Sequence, residues 1–237
     1  MKKLSLFILL ISSAFTTFAQ TTFDKSSVFI GLGQSIPMGD FSLKDPTNEK
    51  AGLAAVGGHL DLGYQLRFSK NVGAIAMFKG RIYGISKESL NYALPTGSGG
   101  SLAVDASTWK MGAVLVGLAQ FIPPSNNELF TLEFREAAGV QFTSSPSVDV
   151  NYNITGLQTV SASQESESAS SFAYLLGLGF RYQISNHLGV KIYGDFNNSN
   201  VKFKDITIIT GATTSTELES RQKTGSIDVG VGLTIGL

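Results

Sequence analysis

His59 and Asp61 stand two residues apart, the spacing that puts both side chains on one face of an extended strand. A histidine oriented by a carboxylate is half of a hydrolytic triad. The other half is a nucleophilic hydroxyl, and no spacing fixes a serine beside His59. The pair therefore reads as part of a structural polar network, and the chain offers no catalytic residue. His187 falls in a short polar turn and reads as solvated. With two histidines and no cysteine, the chain has no metal-ligand spacing, no thiol nucleophile and no disulfide framework. Its 26 glycines open no helix after a strand, so no phosphate-cradling loop is present and no cofactor is expected.

The elements that must position these residues are strands. From Ala54 to Phe68 the even positions carry Ala54, Val56, Leu60, Leu62, Tyr64, Leu66 and Phe68, while His59, Asp61, Gln65 and Arg67 take the odd ones. Period 2 sorts side chains onto the two faces of a strand. After a Ser69-Lys70-Asn71 turn, Val72, Ala74, Ala76, Phe78 and Ile82 continue the apolar face, opposed by Lys79 and Arg81. Val28, Ile30 and Leu32 mark an earlier strand. Near Thr108 to Phe121 the reading places Trp109, Met111, Ala113, Leu115, Ala119 and Phe121 outward, with Lys110 and Gln120 inward. Phe130, Leu132, Phe134, Ala138, Val140 and Phe142 face out against Glu133, Arg135 and Gln141. Glu136 breaks that parity and reads as a bulge or a residue near the outer rim. Phe172 to Tyr182 oppose Arg181 and Gln183. Leu188 to Phe196 oppose Lys191, Tyr193 and Asp195, and Ile227 to Leu237 oppose Asp228.

Eight such strands, an even number, close with both ends on one side. Three connections are short (around 69–71, 122–127 and 185–187). Four are long (around 36–51, 86–106, 145–169 and 198–218), and the two kinds alternate strictly. The long ones are rich in Ser, Thr, Gly and Asn, as in Thr96 to Ser101 and Ser161 to Ser171, and read as mobile loop tips. A soluble barrel of the lipocalin kind would show the same alternation with the faces exchanged. Charge decides between the two: at 15% charged residues the polar face is too thinly charged to be the wet one. The apolar face then meets lipid, since only helices and closed barrels satisfy every backbone group there. Phe68, Phe121, Phe130 and Tyr182 would form one interfacial aromatic belt, and Trp109, Phe142, Phe172 and Tyr174 the other.

Lys2 and Lys3, the apolar stretch Leu4 to Ile11 and the small-x-small Thr17-Phe18-Ala19 predict a signal peptide over 1–19, leaving a barrel domain at 20–237. Without residues 1–19 the 237-residue chain has 218 residues. Its 16 basic residues (18 less Lys2 and Lys3) against 18 acidic give a charge of −2, no footprint for nucleic acid.

Gly33-Gln34-Ser35-Ile36-Pro37-Met38-Gly39-Asp40-Phe41 follows the first strand. Two hairpins of Gly-aromatic and Ser-x-x-aliphatic-Gly type recur at 63–73 and 179–189. The closing strand is Gly232-Leu233-Thr234-Ile235-Gly236-Leu237. In these features the chain resembles the outer-membrane β-barrel domain proteins of Gram-negative bacteria, the OmpX/OmpA-transmembrane-like superfamily of eight-stranded barrels. The closing strand is similar to the signal read by the barrel-assembly machinery, with Ile235 and Leu237 where aromatics are usual. The resemblance implies an all-β, eight-stranded antiparallel up-and-down transmembrane β-barrel with short periplasmic turns and long extracellular loops. It also implies outer-membrane lipid and the assembly machinery as partners.

The inward charges would be Arg67, Lys79, Arg81, Lys110, Arg135, Arg181 and Lys191 against Asp61, Glu133, Asp195 and Asp228, with His59 among them. Eight strands leave an interior that side chains fill, so these charges form a lumen network and not the wall of a general porin. The chain is expected to be a monomeric, non-enzymatic structural or surface-interaction barrel acting through its extracellular loops. Readings left open are an accessory barrel of a type IX-like secretion system, a narrow channel and a lipid-modifying enzyme.

Overall fold

A computed structural model describes residues 25–86, 100–124, 129–154, 160–185, 187–210 and 213–237; residues 1–24, and with them the expected signal peptide, lie outside the described residues. The strands in chain order are β1 Ser26–Met38, β2 Ala54–Arg67, β3 Val72–Ile85, β4 Gly100–Ala106, β5 Trp109–Ile122, β6 Phe130–Ser144, β7 Val148–Ile154, β8 Val160–Gln164, β9 Ser168–Gln183, β10 Leu188–Thr210, β11 Thr213–Lys223 and β12 Gly225–Gly236.

Eight of them close a ring, β1–β2–β3–β5–β6–β9–β10–β12 and back to β1, antiparallel at every step. Ladder partners followed once around run Ser27, Gln65, Ile75, Gly117, Ala137, Leu175, Asn197, Ser226 and return to β1 at Pro37. The shift of ten residues over eight strands tilts them about 40° from the barrel axis. The turn at 68–71 and the described ends of the other two short connections (123–124 with 129, and 184–185 with 187) lie at one end, where the Leu237 amide donates to the Ser26 carbonyl (2.9 Å). This is the periplasmic end, and the longer connections leave from the other.

The outward face is apolar all round. Phe134 is 44% exposed and Leu176 54%, and residues of their kind alternate along every barrel strand. In water such a continuous surface would be an aggregation hazard; as a belt in hydrocarbon it is what the bilayer requires. The inward face carries Asp61, Lys79, Arg81, Glu133, Arg135, Lys191, Asp195 and Asp228, all buried.

The register overturns four readings. On β5 the inward residues are Trp109, Met111, Ala113, Leu115, Ala119 and Phe121, while Lys110 lies exposed on the outer surface with Gln120 on the same face. Trp109 and Phe121 therefore belong to the core and to neither belt, and Lys110 is no part of the lumen. This strand is apolar on both faces, so its own pattern could not orient it. Its neighbour does, because Met111 pairs with Arg81 and Ala113 with Lys79, and ladder partners share a face. Ala54 is also buried, because a register shift between Ala54 and Gly57 exchanges the faces of β2 above that point. Glu136 has no bulge: its register with Leu118 and Leu176 is unbroken, and it shares the outward face of Phe134.

The fourth correction concerns the long connections. Three of the four contribute strands to a second sheet, in the order β11–β10–β8–β7–β4, while the first, between β1 and β2, holds only the short turn Gly39–Ser42. Segments 100–106, 148–154, 160–164, 200–210 and 213–223 lie in it, and the stretch Ser161 to Ser171 falls within β8, β9 and the residues between them; Thr96 to Gly99 lie outside the described residues. Low apolar content did not leave these segments as loops. Strands already held side by side in the barrel continue their ladders at little further closure cost.

Candidate functional site

The interior of the barrel holds the one dense cluster of ionisable groups among the described residues, arranged in layers along the axis. Lys79 of β3 forms its centre. Its Nζ lies 2.8 Å from Asp228 on β12, 2.9 Å from Asp195 on β10 and 3.1 Å from Asp61 on β2. Arg135 of β6 donates to Asp195 (2.7 Å), and the Asn197 amide donates to Asp228 (2.9 Å). Ser35 of β1 also donates to Asp228, and its hydroxyl sits 2.5 Å from that of Tyr83. One ammonium thus draws strands from opposite walls of the ring onto a single point.

Toward the periplasm, Glu133 accepts from Gln65 (2.7 Å) and faces Lys191 at 3.5 Å. The Lys191 ammonium stands 3.8 Å over the Phe29 ring. Below it, Arg67 stacks 4.0 Å from the Phe121 ring centre, with Arg181 at 5.8 Å. Toward the outside, Arg81 donates to Ser226 (3.0 Å) and to Gln141, and the Gln141 amide donates to Thr143 and Thr224.

An aromatic seal closes the outer end. After Gly39, whose positive φ (58°) suits only glycine without strain, a short 3-10 turn over Gly39–Ser42 folds Phe41 into the mouth. Phe41 is fully buried, edge-on to Tyr83 at 5.0 Å and to Trp109 at 5.4 Å. The Trp109 indole donates to the Gly52 carbonyl (2.9 Å), and Val201 and Phe203 of β10 complete the cluster.

His59 and Asp61 share the inward face, but His59 Nε2 lies 3.8 Å from Asp61 Oδ2, beyond hydrogen-bond reach. His59 Nε2 instead lies 3.0 Å from the Tyr193 hydroxyl, and His59 is only 6% exposed. The imidazole has neither an acid hydrogen-bonded to it nor open access for a substrate. Every inward acid has a cation within 3.5 Å. Because Lys110 lies outside, six inward bases face four acids, and Arg81 answers its share with neutral oxygens.

Sequence reading did not single out Phe29, Ser35, Phe41, Tyr83 or Asn197 as interior partners. A usable signal for one of them was present. A Cβ on Gly63 would land on the Phe29 ring, so a glycine between polar inward residues marks the place where a large side chain from the next strand crosses the lumen.

No family model matches the chain, and no curated protein matches it. Among solved structures it is similar to Ail, the attachment invasion locus protein of Yersinia pestis, at 16% identity and a TM-score of 0.44, over 90% of this chain and 100% of that one. It is also similar to Neisserial surface protein A, at 8% and 0.43 over 90% and 97%. A major outer membrane protein from Thermus thermophilus matches at 10% and 0.43 over 89% and 98%. Apolar outside, charged and filled inside, with short turns at one end and long connections at the other, the chain is an eight-stranded transmembrane β-barrel of the outer-membrane type.

Proposed function

We propose that this is a non-enzymatic integral outer-membrane barrel whose working surface is the second sheet, built by its long connections beyond the membrane belt. The observation that carries the reading is the 23-residue β10. It starts in the barrel wall and continues without a break into the outer sheet, pairing there with β11 and β8. A surface so continuous with a closed barrel is held rigidly, which lowers the ordering cost of meeting a partner. The filled interior and the Phe41 seal speak against conduction, and the buried His59 against hydrolysis. Export by residues 1–19 and folding by the barrel-assembly machinery belong to the same reading.

The test replaces residues 145–167 with a tight turn. The trimmed barrel should keep heat-modifiable gel migration and, like the full chain, pass no current in a planar bilayer. Full-length protein should co-purify a defined envelope or surface partner that the trimmed form does not. Equal recovery by the two forms, or stepwise conductance of the full chain, would overturn the proposal.

A further inference from the structure

Glu136 occupies a position where a barrel tolerates charge least. It faces outward between Phe134 and Ala138, directly opposite Leu118 on one side and Leu176 on the other. Phe130 and Phe142 lie six residues to either side on the same face, both exposed. Strand rise and tilt put Glu136 roughly 15 Å from each, at mid-depth of a hydrocarbon layer of about 30 Å. Among the described residues, no hydrogen bond or ion pair reaches its carboxylate. Among the described residues it has no cation, whereas every inward acid has one within 3.5 Å. An ionisable group in hydrocarbon without a partner is costly, and its presence calls for a partner outside the chain.

We propose that, in place of the monomer expected from the sequence, this face is an interface between two copies of the chain in the membrane, centred on Glu136 of each. Copies inserted by one route share an orientation, so the twofold relating them runs along the membrane normal and keeps every residue at its depth. An axis beside Glu136 therefore sets carboxyl against carboxyl. Two carboxyls that share one proton are complementary: one donates, the other accepts, and a single charge is spread over both. The shape of the face fits close approach. Ala138, next along the outward face, is smaller than any other outward residue between Phe130 and Phe142. A hollow of about 690 Å³ that Glu136 itself lines, with Phe134, Leu178, Phe196, Ile227 and the polar Gln120, can take side chains of the second copy. The other occupants of such a face would be lipid chains alone, or a cation-bearing segment of a different protein.

The chain has no cysteine, so single cysteines report contact directly. Full-length Ala138→Cys in phospholipid vesicles should form a disulfide dimer on oxidation. Leu32→Cys, on β1 at the opposite side of the ring, should not. Adding Glu136→Leu to Ala138→Cys should cut dimer yield about tenfold, the size expected for one hydrogen bond in lipid. Glu136→Gln should preserve it, because an amide both donates and accepts. Heat-modifiable migration shows that each variant is folded. Equal cross-linking at positions 138 and 32, or yield unaffected by Glu136→Leu, overturns the interface. Loss with Gln as complete as with Leu also overturns it, because the acid would then be meeting a cation from elsewhere.

Discussion

Two ion clusters in this molecule have nearly the same bond lengths and opposite surroundings. Inside the barrel, Lys79 lies 2.8 to 3.1 Å from Asp228, Asp195 and Asp61, all fully buried. On the outer sheet, Glu219 lies 2.6 Å from Lys202 and 2.8 Å from Arg221, all substantially exposed. The difference shows that distance alone does not set the worth of an ion pair. Exposed partners exchange water for each other at little gain and are screened by salt. Buried partners have no water to return to, so each holds its place because the others are there. The inner cluster joins β2, β3, β10 and β12 across the lumen, whereas the outer one joins only the two strands of the β10–β11 hairpin.

The sharpest way to break this comparison is Lys79→Met. The substitution keeps most of the side-chain volume but leaves three buried carboxylates around an apolar tip. Loss of one partner from a buried pair costs about 3–5 kcal/mol, and here Asp61 and Asp228 lose their close cation while Asp195 keeps Arg135. A fall of that size in unfolding free energy should appear as an earlier urea midpoint of gel migration in lipid. A double cycle of Lys79→Met with Asp228→Asn should show strong coupling. A cost below about 1 kcal/mol would mean that water fills the lumen around the acids and that the two clusters are alike after all.

Phe41→Ala comes next and separates the apolar end of the interior from its charged centre. Removing a fully buried phenylalanine costs about 3 kcal/mol. Here part of the loss is confined to the outer mouth, so the global effect should fall below that of Lys79→Met. Trp109, the only tryptophan of the chain, packs on Phe41 and reports the site directly. Its emission should shift to the red in the variant while the barrel stays closed by gel migration. An unchanged emission would show that the seal does not depend on Phe41.

The legibility of the chain follows the same division between a charged interior and everything else. β2 and β3 were readable because His59, Asp61, Lys79 and Arg81 label one face and leucine, valine and phenylalanine the other. β5 was not, because Ala113 and Leu115 pack inside against Ile75 and Met77, and Met111 against the Phe41 cluster, while Val114 and Val116 meet lipid. With both faces apolar, the polar residues left at its ends, Lys110 and Gln120, pointed the reading the wrong way. The charged residues of the candidate site could be named one by one. Their partners could not, because Lys79 and Asp228 are 149 residues apart in the chain and meet only through the ten-residue shear of the closed ring. The outer sheet was missed for another reason. Serine and threonine segments gain their pairing from neighbours already anchored in the barrel, a tertiary effect that local composition does not record.

The smallest effect belongs to Glu219 and defines the weak end of the comparison. Hydrogen bonds from Lys202 and then Arg221 hold its carboxyl below the usual glutamate range. The folded hairpin therefore binds this proton more weakly than the unfolded chain does. Its contribution is complete above the unfolded value of about 4.3 and disappears as pH falls through the lower folded one. Amide exchange in β10 and β11 should accordingly quicken slightly between about pH 5 and pH 3 (once intrinsic rates are divided out), while the barrel strands do not respond. Glu219→Gln should abolish the acid-dependent step, and added salt should shrink it. Should acid loosen the barrel strands together with the hairpin, the outer cluster would be coupled to the barrel through β10, and the two clusters could no longer be treated as independent.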